Sequence, residues 1–304
     1  MESRGQTTKA FRLLGCTPPG LLDPAIAIAT SRAGGVGILN LECARDEHAA
    51  RAAVAKLARY GGSDCGIKLD ANAEAMWDGL IRQLPEPIKV VILTATDVDR
   101  LPAQVHALHQ HGLQVLLEVN DLEQADAGAA AGVDGLIAKG NEAAGWVGEE
   151  TTLILLQRLL AHTGLPVLAQ GGVGLHTAAA CYVAGAAGLV LDAQLWLARE
   201  SSLPETTRRH IARMDGSETV CLAAGRDRAF RTYARPGMKA IEEMQGLAHE
   251  LAGTASAETA RRWRQQIHAR IGWDSLDRQL WPLGQDAGFA ASLSAQFHTA
   301  GGII

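Results

Sequence analysis

The stretch Leu165-Pro166-Val167-Leu168-Ala169, continued by Gln170-Gly171-Gly172-Val173-Gly174, a helix-length segment and then Ala184-Gly185-Ala186-Ala187-Gly188-Leu189-Val190-Leu191, decides how this chain is read. It has the pattern strand, glycine turn, helix, strand. Paired glycines at the point where a strand hands over to a helix leave backbone N–H groups free to converge on an anion such as a phosphate. Two such units at the end of a run of βα repeats match the phosphate-gripping end of a (β/α)8 barrel.

Working outward, short apolar runs recur with helical segments between them: Phe11–Gly15, Val36–Leu41, Gly66–Leu69, Val90–Thr94, Val115–Val119, Gly135–Ala138, Pro166–Ala169 and Gly188–Leu191. Short, continuously apolar runs are what parallel strands covered on both faces require. Helix ends are marked as well. Asp23-Pro24 offers an N-cap with proline at the first helical position. Asp46-Glu47 and Glu149-Glu150 put carboxylates in first turns, and Gly112 and Gly132 fall where helices end. Strict β/α alternation with eight units predicts an α/β fold, a TIM-like (β/α)8 barrel over 1–200.

The pattern changes after Leu197. Between Pro204 and Leu280 there is little strand signal, while Met238–Leu251 and Ala257–Ile271 read as helices, the second capped by Ser256. Residues 201–282 are therefore expected to form a helical second subdomain, a lid or side domain. The turn Leu283-Gly284-Gln285-Asp286-Ala287-Gly288 then begins a return to the barrel over 283–304.

Composition narrows the function classes. Of 304 residues 47% are hydrophobic but only 4% aromatic, so small aliphatic side chains carry the packing. A net charge of −5 gives no electrostatic reason to expect nucleic acid or an anionic membrane. Five dispersed cysteines, Cys16, Cys43, Cys65, Cys181 and Cys221, read as reduced thiols of a cytoplasmic protein rather than as a disulfide framework or zinc site. The polar start lacks the apolar core of a signal peptide, and no run is long enough to cross a bilayer. The aliphatic ending Gly301-Gly302-Ile303-Ile304 suggests a cut from a longer polypeptide.

The order of motifs resembles the nitronate monooxygenase family, also called 2-nitropropane dioxygenase-like, which includes flavin-dependent enoyl reductases of fatty-acid and polyketide synthesis. Ala27-Ile28-Ala29-Thr30-Ser31-Arg32-Ala33-Gly34-Gly35-Val36-Gly37 is similar to the family's A-x-S-x-A-G-G-x-G segment. The block from Ala131 to Gly145 is similar to A-G-x-D-x-I-x-x-G-x-E-A-G-G. Gly171-Gly172-Val173, Gly185-Ala186-Ala187-Gly188 and Gly284-Gln285-Asp286-Ala287-Gly288 follow in the family's order. The resemblance implies FMN at the C-terminal face of the barrel under a helical second domain. It implies that Gly171, Gly172 and Val173 hold the FMN phosphate. Gly35, Gly145, Asp192, Ala193 and Gln285 are the other cofactor-binding positions it marks, and Lys139 lies near the flavin ring, where an ammonium stabilises negative charge.

Two positions depart from the family. Its block ends in a histidine that serves chemistry at the flavin, and here that place holds Trp146. Indole has one donor, no acceptor and no titration near neutrality, so it relays no proton, though it stacks on flat rings or acyl chains. Asp192 stands where the family's phosphate turn has glycine, and a carboxylate facing a phosphate costs roughly 1 kcal/mol in water and more when desolvated. His176, at a helix start after the glycine turn, is the candidate stand-in for the missing histidine.

Blander readings apply to other polar residues. Lys139 and Glu142, three apart, read equally as a structural ion pair. His106, His109 and His111 lie at the end of a surface helix without a carboxylate nearby in sequence, and no metal site is expected. Asp97-Val98-Asp99 is accounted for by a helix N-terminus. Arg231 and Arg235 read as cations for a flavin or pantetheine phosphate, or as solvated surface charge.

The expected function is an FMN-dependent oxidoreductase related to enoyl-thioester reductases, with NADH or NADPH as reductant. Its expected partner is an acyl or enoyl thioester on acyl carrier protein, within a larger synthase polypeptide. The alternatives are nitronate monooxygenase activity on a small nitronate, and a degenerate, non-catalytic docking domain of a multienzyme.

Overall fold

Every apolar run read above becomes a strand of one closed barrel. The computed structural model describes residues 11–71, 79–94, 99–222, 229–251 and 256–304. The barrel strands are β1 (Arg12–Cys16), β2 (Val36–Asn40), β3 (Cys65–Asp70), β4 (Ile88–Thr94), β5 (Gln114–Val119), β6 (Gly135–Lys139), β8 (Val167–Gln170) and β9 (Gly188–Leu191). They pair in parallel in that order, and β9 closes onto β1 with Arg12 opposite Gly188 and Leu14 opposite Val190.

Residues two apart on a strand share a face. The inward face carries Leu14, Val36, Ile38, Val90, Ile92, Leu116, Ile137, Leu168 and Val190, which pack as one buried cluster. The outward face packs against the surrounding helices, among them α1 (Ala25–Arg32), α2 (Glu47–Tyr60), α3 (Leu101–Gln110), α4 (Leu122–Ala131), α5 (Thr152–His162) and α6 (Leu175–Ala184). Gly37 sits where β2 passes under α1: a Cβ there would come within 1.9 Å of the Ala27 carbonyl oxygen.

Capping follows the sequence at several ends. Asp46 and Asp121 accept from the N–H groups of Ala49 and Gln124 at 3.0 and 2.8 Å. Gly132 ends α4 in the left-handed region. Two expectations shift. Pro24 is the cap position and α1 starts at Ala25, whose N–H reaches Asp23 Oδ1 at 3.2 Å. Glu149 and Glu150 precede the helix instead of entering its first turn, because Thr151 takes the cap position; Glu150 pairs with Arg158. Asp97 and Val98 lie outside the described residues.

The second subdomain is less purely helical than its sequence predicts. β10 (Thr219–Leu222) and β11 (Ala229–Tyr233) pair antiparallel, and β11 also pairs with β7 (Gly145–Val147) to give a three-stranded sheet of order β10-β11-β7. Both new strands are short, and a four- or five-residue run cannot announce itself by periodicity. Around this sheet lie α7 (Glu205–Ile211), α8 (Lys239–Glu250) and α9 (Ala257–Arg270), the last capped by Ser256 as expected. The final helices, α10 (Ala290–Phe297) and α11 (Ala300–Ile303), return to the barrel, where α11 packs on α1. Among the described residues no helix is long and apolar enough to cross a membrane.

Candidate active site

At the C-terminal ends of the strands the inward face turns from apolar to polar. One step beyond the apolar layer it carries Asn40, Lys68, Thr94, Glu118, Lys139 and Gln170, all buried, with Asp192 immediately after β9. Charges placed inside a barrel must find partners. Lys68 Nζ lies 3.1 Å from Glu42 and 2.7 Å from Glu118, and Lys139 Nζ lies 3.1 Å from Glu118. Burial by itself pushes the Glu42 carboxyl up, but Lys68 and Lys139 outweigh it and hold it at about 2. Burial likewise pulls Lys68 down, and Glu118 and Glu42 reverse that and raise it above the usual ammonium range.

Lys139 is thus paired with Glu118 and not with Glu142, whose carboxylate instead accepts from the Thr152 N–H at 3.0 and 3.1 Å. Glu118 is the only acceptor of the Lys139 ammonium among the described residues, which leaves two of its three N–H donors for a ligand. The signal for this ladder was present in sequence: Lys68 and Glu118 are buried charges near the ends of largely apolar strands.

Trp146, on β7, forms the wall where the second subdomain meets the mouth. Its ring meets Phe230 edge-on at 5.0 Å, and the Arg264 guanidinium of α9 lies 4.6 Å over its face. Arg264 also reaches Asp70 of β3 at 3.1 Å, which ties α9 to the barrel rim. Trp146 is both an anchor and a pocket wall. It lines a narrow cleft of about 30 Å³ together with Lys68, Lys139, Gln170, Trp196 and Phe230. Two buried polar atoms in that wall, Trp146 Nε1 and Gln170 Oε1, have no partner among the described residues. An orphaned donor and acceptor beside two cations mark a site shaped for a polar, carbonyl-bearing ligand.

The other positions marked in sequence divide. Gly145 lines the cleft in the left-handed region, close to Lys139 Nζ. Gly171 and Gly172 form the expected glycine turn, both in the left-handed region, and the N–H groups of Gly172 and Val173 have no acceptor among the described residues. Gly35 does not join them. It precedes β2 at the opposite end of the barrel, where a Cβ would meet the Leu13 carbonyl and Ile304. His176 is exposed on the first turn of α6 and does not line the cleft, so it does not replace the missing histidine there. The Gln285 side chain is exposed, and only its N–H is engaged, on the Glu142 carbonyl at 2.8 Å. Arg231 is buried and serves the fold by donating to the Asn141 carbonyl and to Thr219 Oγ1, whereas Arg235 is exposed. His106 contacts Gln110, and His109 pairs with Asp134 at 3.0 Å.

The phosphate corner is only half as expected. On the β9 side, the Asp192 N–H donates to Gln194 Oε1 at 2.9 Å and the Ala193 N–H to Asp192 Oδ1 at 2.6 Å. The two amides that would complete an anion cradle are consumed by their own neighbours. This corner therefore does not fit the phosphate of FMN. Beside Asp192 lies Asp286, fully buried and not anticipated as a site residue although it belongs to the Gly284–Gly288 motif.

Comparison with known proteins agrees with this geometry. The family model described as nitronate monooxygenase matches residues 45–277. The (3aS,4S,5R,7aS)-5-hydroxy-7a-methyl-1-oxo-octahydro-1H-indene-4-carboxyl-CoA dehydrogenase of Mycobacterium tuberculosis is 30% identical over 252 residues, which is 79% of this chain and 69% of that protein. FabK from Thermotoga maritima superposes with a TM-score of 0.79 at 22% identity, covering 96% of this chain and 90% of that one. Nitroalkane oxidase from Streptomyces ansochromogenes superposes with a TM-score of 0.71 at 20% identity, covering 95% of both. At these identities the two superpositions speak for the fold.

Proposed function

The chain belongs to the nitronate monooxygenase family, and on that premise we propose that its barrel mouth receives an acyl thioester, carbonyl oxygen toward Lys139 and acyl chain against Trp146 and Phe230. The observation that carries this reading is the buried Lys139 ammonium, held among the described residues by Glu118 alone, in one cleft with Trp146 Nε1, which has no partner among them. Donors fixed in a water-poor cleft favour a carbonyl that gains negative charge, as a thioester does when it enolises. The mycobacterial relative named as a carboxyl-CoA dehydrogenase supports a thioester over a free acid. Trp146 excludes water and positions the chain, but it passes no proton. Because the phosphate corner does not fit FMN, no step is assigned to a flavin. In this reading the domain binds and presents a thioester in a larger synthase.

A second reading is the family's redox chemistry, reduction of an enoyl thioester with NADH or NADPH as reductant, or oxidation of a nitronate. It is favoured by the free N–H groups of Gly172 and Val173. One experiment separates the two. The full chain is incubated with FMN, desalted and examined by absorbance, then titrated with crotonyl-CoA by calorimetry beside Lys139→Met. A colourless protein that binds crotonyl-CoA, with affinity falling at least tenfold in Lys139→Met, supports the first reading. Retained flavin with turnover of the crotonyl thioester by NADPH moves the assignment to the second. A folded protein that gives no heat with crotonyl-CoA ends the thioester assignment.

A further inference from the structure

The corner between β8 and β9 contains more carboxyl groups than a phosphate site tolerates. Asp192 Oδ1 folds back onto the Ala193 N–H at 2.6 Å, and Asp192 Oδ2 accepts from Gln170 Nε2 at 3.2 Å. Gln194 Nε2 bridges the Val173 carbonyl at 2.9 Å and Asp286 Oδ2 at 3.2 Å. Asp286 Oδ1 is buried without a hydrogen-bond partner among the described residues, and it packs where a Cβ on Gly284 would come within 2.5 Å. The Glu142 side chain lies against Gly172, whose Cβ would approach its carboxylate at 3.0 Å. Asp192 and Glu142 are thus the charged neighbours of the buried Asp286 carboxyl, so three carboxyl groups crowd this corner. Burial first, and then the neighbouring Asp192, push the Asp286 carboxyl well above its usual range, as expected where like charges crowd one buried site.

We infer that Asp192 and Asp286 fill this corner from within and make the mouth select against a ligand that brings a phosphate to it. The pair takes the place that a phosphate occupies at this end of a barrel. A ring ligand enters the cleft without its phosphate, and a phosphate dianion meets like charge in a buried setting. Asp192 is the gatekeeping residue, because it consumes the Ala193 N–H and presents its charge to the cleft.

The inference rests on the mouth being a ligand site, as proposed above, and the crotonyl-CoA titration reports that separately. The test uses the full chain with two probes that differ only by a phosphate, FMN and riboflavin, read by quenching of flavin fluorescence. The wild-type protein is expected to bind riboflavin at least as tightly as FMN. Asp192→Gly is expected to gain at least tenfold in FMN affinity with riboflavin unchanged, and Asp192→Asn, which keeps the shape, to gain part of that. Circular dichroism confirms that each variant is folded. Tighter binding of FMN than of riboflavin by the wild type overturns the inference. So does a folded Asp192→Gly that gains nothing for FMN.

Discussion

Two carboxyl groups packed together at the barrel mouth, Asp192 and Asp286, do not ionise together without strong repulsion. Burial, and next the neighbouring Asp192, push the Asp286 carboxyl well above the usual range. A group whose folded value is raised stabilises the fold fully below its unfolded value, about 4 for an aspartate, and that contribution is lost as pH rises through the folded value. Asp286→Asn removes the titration while leaving an amide that can face Asp192. In urea melts the stability of Asp286→Asn minus that of wild type should therefore grow between pH 4 and pH 8. Parallel curves would show that Asp286 carries no proton in the fold. The sequence made Asp192 visible as a departure from the family pattern. It did not show Asp286 as a partner, because the contact joins residues 94 positions apart in the chain, and proximity of that kind is set by tertiary closure. Lys68 and Glu118 were legible in principle, as charges breaking apolar strands, whereas their pairing required the barrel's register.

At the scale of elements, caps and strands were the legible part. All eight barrel strands stand where apolar runs stand, since parallel strands buried on both faces leave no alternation to misread. Asp121 shows how local such signals are: its carboxylate accepts from the Gln124 N–H at 2.8 Å and begins α4. Asp121→Ala should cost about 1 kcal/mol of stability by chemical denaturation, with no change in ligand affinity at the mouth. An unchanged denaturation midpoint would mean that the cap is redundant. The sheet β10-β11-β7 was illegible for the opposite reason. Its strands are three to five residues long and come from segments far apart in sequence, so their pairing rests on tertiary contact rather than on propensity. That sheet in turn fixes Trp146, whose partner across the ladder is Phe230.

For the molecule as a whole, the second subdomain shares one buried apolar core with the barrel, and Arg264 adds a polar tie at the mouth. Arg264 of α9 touches both the Asp70 carboxylate and the Trp146 ring, so one side chain joins lid, wall and rim. Arg264→Ala should lower stability by about 2 kcal/mol and increase hydrogen exchange in α8 and α9 while the barrel strands stay protected. Uniform loss of protection throughout the chain would instead mean that barrel and lid unfold as one unit. Phe11, the first described residue, and Ile304 line one shallow depression around Gly34 and Gly35, at the face of the barrel away from Lys139 and Trp146. A protein fused after Ile304 therefore hangs from the floor of the barrel and leaves its entrance unobstructed.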